Sequence, residues 1–201
     1  QASSIDSYNT AVGYNSGATV STGQRNTLIG GLSGDGLNAG LDNTSLGYNA
    51  LGTETSGARS VAVGSEALAT QNVGSGTAVY NTAVGYTAGN AVTTGINNTF
   101  IGGRAGLLTT TASNNTSVGS NSLRANTTGH TNSSFGHDSM RFNTTGAQNV
   151  AVGQQALHNN TSASDNTAVG FKAGYVVTTG ANNTAVGASA LLANTTGASN
   201  T

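Results

Sequence analysis

Asn81-Thr82-Ala83-Val84-Gly85 is the stretch on which the reading of this chain turns, because it returns along the whole length with little change. With its glycine as a marker, the copies fall at Gly13, Gly30, Gly47, Gly64, Gly85, Gly102, Gly119, Gly136, Gly153, Gly170 and Gly187. The spacing is a uniform 17, as from Gly13 to Gly30, except for the step of 21 between Gly64 and Gly85, and Asn200-Thr201 begins a further copy. Four residues before each marker stands Asn, with Ser60 the one exception, and directly before it stands an aliphatic residue or, at Phe135, an aromatic one. The third residue after the marker is always Ala or Ser, and the fourth is Gly or a large apolar residue. Most units close on a segment such as Thr93-Thr94-Gly95 or Thr195-Thr196-Gly197. A period this strict belongs to a repeat architecture, in which a unit that cannot bury its apolar face alone does so by stacking on its neighbours.

Length alone allows one or two globular domains, but the period favours a single elongated β-solenoid domain over residues 1–201, read as a piece of a longer fibre. Only 6% of residues are charged and the net charge is −1, which gives no electrostatic case for nucleic acid or an anionic membrane surface. Cys is absent, so there are neither disulfide staples nor thiolate metal sites, and no cofactor is expected. No apolar run approaches the roughly 20 residues of a membrane span. Gln1-Ala2-Ser3-Ser4 has neither the basic start nor the apolar stretch of a signal peptide.

Within a unit, the alternation in Thr82-Ala83-Val84 predicts a short strand with Thr82 and Val84 on one face and Ala83 on the other. The marker glycine then turns the chain, either through a positive φ or through close approach of backbones. No apolar stripe at helical spacing persists, so an all-β parallel β-solenoid is expected, with one 17-residue coil per unit. The Asn column reads as a ladder whose side-chain amides bond neighbouring coils and loop backbone. If the aliphatic before the marker fills the coil, the opposite strand face is left over. That column holds Ala11, Leu28, Ala62, Ala83, Phe100, Ala151, Ala168 and Ala185, with Ser at the remaining levels. Small and uncharged, it is the expected packing surface for further solenoids, and three chains are the natural closed arrangement for a fibre. The four extra residues between Gly64 and Gly85 are expected to bulge without breaking the stack.

The Asn-Thr-Ala-Val-Gly units, followed by Ala-Leu or Ala-Gly and then Asn-Thr-Thr-Gly, resemble the repeats of trimeric autotransporter adhesin heads (YadA-like β-rolls) and the repetitive shafts of phage tail fibres. The unit of 17 is longer than the adhesin-head repeat, and within residues 1–201 no coiled-coil stalk, membrane anchor or chaperone domain is expected. The resemblance implies an extracellular homotrimeric fibre, on a bacterial surface or a virion, acting as a rigid shaft or head for attachment to a glycan or protein receptor.

Chemistry is sparse. Asp35 and Glu54 stand about one coil apart and read as exposed loop acids, and His137-Asp138 with Arg141 is the densest polar cluster but lacks a nucleophile. No enzymatic role is expected. His130, His137 and His158 share no column, so no metal site is expected. The residue after the marker is aromatic at Tyr14, Tyr48, Tyr86 and Phe171, which could stack on sugar rings, against the plainer reading that these rings cover glycine-containing neighbours such as Gly31 and Gly103. The alternative function is an ice-binding solenoid using either the strand Thr ladder, from Thr10 to Thr184, or the Thr-Thr segments.

Overall fold

The computed structural model describes residues 7–74 and 77–201. Each repeat contributes one three-residue strand: β1 (Thr10–Val12), β2 (Thr27–Ile29), β3 (Thr44–Leu46), β4 (Val61–Val63), β5 (Thr82–Val84), β6 (Thr99–Ile101), β7 (Thr116–Val118), β8 (Ser133–Phe135), β9 (Val150–Val152), β10 (Thr167–Val169) and β11 (Thr184–Val186). The eleven pair in parallel, strictly in sequence order, with equivalent residues opposite one another, as in Ala83 against Phe100 and Val84 against Ile101. The chain is therefore an all-β parallel solenoid of 17-residue coils, and no helix occurs among the described residues.

Strands stay short because the marker glycine cannot be replaced by another residue. Gly85 has φ of +139°, and a Cβ built on it would lie 2.6 Å from the carbonyl oxygen of Gly102 in the next coil. Both reasons expected for that column act together. The rest of the coil turns through left-handed residues that are mostly not glycine: in the Gly119 coil these are Asn114, Asn121 and Leu123, with φ of 63°, 53° and 51°. A left-handed non-glycine residue costs roughly 1–2 kcal/mol. Each of these sends its N–H to a neighbouring coil, to Ile96, Gly103 and Ser139 respectively, so stacking offsets the strain.

The interior is the reverse of the expected one. Leu28, Ala62, Ala83, Phe100, Ala151, Ala168 and Ala185 are buried inside their own solenoid, and Ala11 belongs to the same column but is exposed in the first coil. The aliphatic column points outward, with Val84, Ile101 and Val169 each more than a third exposed. The column assigned to packing between chains is thus the core of one chain. A coil this short has a narrow lumen, and small residues suit it better than β-branched ones. Its serines are satisfied there: the Ser33 hydroxyl donates to Ser45, 2.7 Å away, and the Ser45 hydroxyl to the Ala50 carbonyl at 2.8 Å.

Size is balanced between columns. Phe100 fills the space over Gly89 and Gly106, where an added Cβ would come within 3 Å of its ring, and Leu28 does the same over Gly17 and Gly34. Where the residue four after the marker is large, as at Leu51, Leu68, Leu123, Met140 and Leu157, the residue three further on is polar: Glu54, Gln71, Asn126, Asn143 and Asn160, all buried. Where it is Gly34, Gly89 or Gly174, that later position carries buried Leu37, Val92 or Val177.

The expected Asn ladder is present. Asn149 Oδ1 accepts from the Asn166 backbone N–H at 3.0 Å, and Asn149 Nδ2 donates to the Ala163 carbonyl at 2.9 Å. The long unit keeps the stack, since Val61 still pairs with Thr82 across it. There the shorter Ser60 interrupts the ladder, and Gln71 fills in. Its Nε2 donates to the Ser60 hydroxyl and to Glu54 Oε2, both at 3.0 Å, while its Oε1 accepts from Asn81 Nδ2 at 2.9 Å. Glu54 Oε1 accepts the Gly57 and Ser56 N–H groups at 2.7 and 3.1 Å. Glu54 is a buried structural acid, contrary to its expected place on an exposed loop.

Candidate functional site

Two outward surfaces remain once the interior is assigned. The first is the outer face of the sheet. Because residues alternate along a strand, the residues flanking each buried one point out together: Thr82 with Val84, Thr99 with Ile101, Thr167 with Val169. Parallel in-register pairing turns them into two straight columns. One is Thr at eight levels, with Val61, Ser133 and Val150 at the others; the second is aliphatic, with Phe135 at one level. Neither column contains a charge. The strand Thr ladder was expected to share a face with the core aliphatics; it does share their face, and that face is outside.

The Thr-Thr segments form a different surface. Their first hydroxyls are already engaged as donors, Thr110 to the Thr127 carbonyl at 3.1 Å and Thr127 to that of Thr144 at 3.0 Å.

The second surface is the flank that follows the marker glycine. Tyr14, Tyr48, Tyr86 and Phe171 all stand well out from it, from 47% exposed at Phe171 to 77% at Tyr14. Tyr48 lies beside Gly31, where an added Cβ would be 3.7 Å from the ring, yet it remains more than half exposed; no side chain covers Gly103. Successive rings are two coils or more apart, so they form separate contacts and no continuous platform.

On this flank the polar cluster does assemble. The nearly buried Asp138 lies 3.4 Å from both Arg141 and His137, and the hydroxyl of Ser139 is turned inward to the Ala151 carbonyl at 3.3 Å. The cluster therefore has a carboxylate, a guanidinium and an imidazole without a nucleophile directed at them. Among the described residues there is no group of His, Cys, Asp and Glu able to hold a metal ion, and no pocket. No helix is long and apolar enough to cross a membrane.

Two features escaped the sequence reading. The polar column of Asn126, Asn143 and Asn160 forms a second ladder, with Asn143 Nδ2 3.0 Å from Asn126 Oδ1. A surface ladder also runs through Arg25, Asp42, Arg59 and Tyr80. Arg25 bonds Asp42 at 2.6 Å, and Arg59 bonds the Tyr80 hydroxyl at 3.2 Å. The available signal was the 17-residue spacing of Asn126, Asn143 and Asn160 and of Arg25, Asp42 and Arg59, which places each set on consecutive coils.

No family model, curated protein or solved structure matches the chain.

Proposed function

We propose that this chain is a segment of a structural and adhesive fibre, a rigid shaft or head outside a cell or on a virion, in which three copies close around a common axis. The observation that carries the reading is the outer face of β1–β11, an uncharged column of aliphatic side chains beside a column of Thr. Eleven rungs about 4.8 Å apart make a strip about 48 Å long. At a width of about 10 Å its area is on the order of 500 Å², the aliphatic column and the Thr column together, within the range of the largest patch a monomer exposes. A second and third copy are the occupants that fit it, because the face keeps one pattern over most of its length and has no charge to desolvate. Reach and stiffness come from the unbroken parallel pairing of β1 to β11, and receptor contact, with a glycan or a protein, falls to the exposed flank. The resemblance of the repeats to adhesin heads and tail-fibre shafts supports the same reading.

Light scattering over a dilution series tests it. The expected mass is three times 19.7 kDa, persisting on dilution; a 19.7 kDa species at every concentration would overturn the association.

One observation favours a second reading, ice binding: the strand Thr ladder is outward, in register and unengaged in the hydrogen bonds seen among the described residues. Phe135 and Leu46 roughen that face, which weighs against it. A thermal-hysteresis assay separates the two, because the fibre reading predicts no gap between freezing and melting.

A further inference from the structure

The charges of this nearly uncharged rod are unevenly placed. Arg25 and Arg59 have partners in the surface ladder, Asp42 and Tyr80. The other four cations, Arg104, Arg124, Arg141 and Lys172, all lie two or five residues after a marker glycine. These positions share one flank, since Lys172 and Tyr175, placed at +2 and +5 of one coil, are in contact. Between Arg141 and Lys172 the flank is a continuous string of rings. The Arg141 guanidinium stands 5.2 Å from the Phe142 centroid, Phe142 meets His158 edge-on at 5.0 Å, His158 stacks on Tyr175 at 4.9 Å, and the Lys172 ammonium lies 5.3 Å from Tyr175.

This string holds cations without enough anions. Asp138 is its one acid, nearly buried and already facing both Arg141 and His137. The Lys172 ammonium lies over two rings, Phe171 and Tyr175, and neither Lys172 nor Arg124 has an ion pair among the described residues. The buried Nε atoms of Arg124 and Arg141 have no hydrogen-bond partner. An intramolecular ion-pair role would have placed acids on the adjoining rungs, as Asp42 is placed between Arg25 and Arg59. The column of Arg104 and Lys172 does hold Glu66 and Asp138, but both stand two rungs from the nearest of these cations, and the adjoining rungs carry Thr87, Asn121, Gln155 and Ser189.

We infer that the flank spanning Arg124, Arg141, His158, Lys172 and Tyr175 binds an acidic polysaccharide, one whose sugars carry carboxylate or sulfate groups. Guanidinium donors pair strongly with such oxyanions, and the exposed part of Phe142 gives a sugar apolar contact, while the nearly buried His158, packed against Phe142 and Tyr175, orients both rings. The surface has no pocket, so an extended chain lying across several rungs fits it better than a small molecule enclosed on all sides. His158 and Tyr175 stack on each other and Lys172 lies over the Tyr175 ring, so these rings do not form an open platform for nucleobases, which favours a glycan over a single-stranded nucleic acid. The inference does not depend on association through the outer sheet face.

The test is retention of the whole chain on immobilised heparin and polygalacturonate, with neutral dextran as control and an oligothymidylate as competitor. Retention on at least one acidic matrix at low salt, lost as salt rises, is expected, with none on dextran. Arg124→Gln and Lys172→Gln should each weaken binding about tenfold or more, whereas Arg25→Gln, which removes the same charge elsewhere, should leave it unchanged. Circular dichroism of each variant confirms that the solenoid persists. Absence of retention, equal loss with Arg25→Gln, or displacement by the oligothymidylate as effective as by free acidic polysaccharide would overturn the inference.

Discussion

The coils around Asn149 and the stretch from Glu54 to Asn81 meet the same demand by different means. In the first, one residue type serves every level: Asn132, Asn149 and Asn166 each satisfy the next coil's N–H, and Asn132 and Asn149 also reach a turn carbonyl. In the second, Ser60 is too short for that task and the unit is four residues longer, so Gln71 reaches across from another column and Glu54 braces it. What the stack requires is an unbroken run of donors and acceptors, and a neighbouring column can supply it. The same exchange governs volume, where Phe100 occupies the space left by Gly89 and Gly106.

The sharpest way to break that comparison is Gln71→Leu. It takes from the buried site the Gln71 partner of the Ser60 hydroxyl, of Glu54 Oε2 and of the Asn81 amide, of which the last two keep weaker or fewer bonds, Glu54 to backbone N–H groups and Asn81 to the Gly95 carbonyl. A loss of about 3–5 kcal/mol is expected, and denaturant unfolding should split into two transitions as the two halves uncouple at the junction. Asn149→Ala, in the regular region, removes bonds to one N–H and one carbonyl and the amide contacts with Asn132 and Asn166. It should cost about 2–3 kcal/mol and leave unfolding a single transition. If both variants behave alike, the long unit is no weaker a junction than the rest.

Gly106→Leu probes the volume exchange, since its side chain would run into the Phe100 ring. A cost of about 1–3 kcal/mol is expected, part of it recovered in Phe100→Ala/Gly106→Leu, which moves bulk from one column to the other. A strictly additive double-mutant cycle would refute the exchange.

The smallest effect belongs to Arg25 and Asp42. The hydrogen bond from Arg25, helped by its charge, holds the Asp42 carboxyl below its ordinary value. A carboxyl depressed on folding stabilises above its unfolded value, about 3.9, and the benefit disappears as pH falls through the folded value. Asp42→Asn should therefore be slightly less stable than the parent at neutral pH and equal to it in acid. Added salt should narrow the neutral-pH gap, because both groups face solvent.

Much of this fold was legible in the residues. The 17-residue period set the coil, the Thr-x-Val triplets set the strands, and the Asn column announced the ladder. Which strand face lies inside was not legible from alternation, because both faces are uncharged and alternation is symmetric between them. Aliphatic size suggested Val84; the narrow lumen selects Ala83. The pairing of Leu28 and Phe100 with glycines in adjacent coils carried the answer, since residues that trade volume must share one interior. The outward surfaces were legible only in part: Tyr14, Tyr48, Tyr86 and Phe171 are indeed exposed, but the cation and ring string from Arg141 to Lys172 depends on which columns turn into contact. The Thr column could be read as a ladder but not as an exterior one until the interior was assigned.

That inside-out assignment of the strand is the central claim, and neighbouring residues test it most directly. Ala83→Asp and Val84→Asp would be compared by thermal unfolding followed by circular dichroism. The account predicts that Ala83→Asp, with a carboxylate forced into the lumen, loses the cooperative transition or shifts it far downward, while Val84→Asp keeps the β-signal and unfolds as one folded species. A folded Ala83→Asp beside an unfolded Val84→Asp would contradict it.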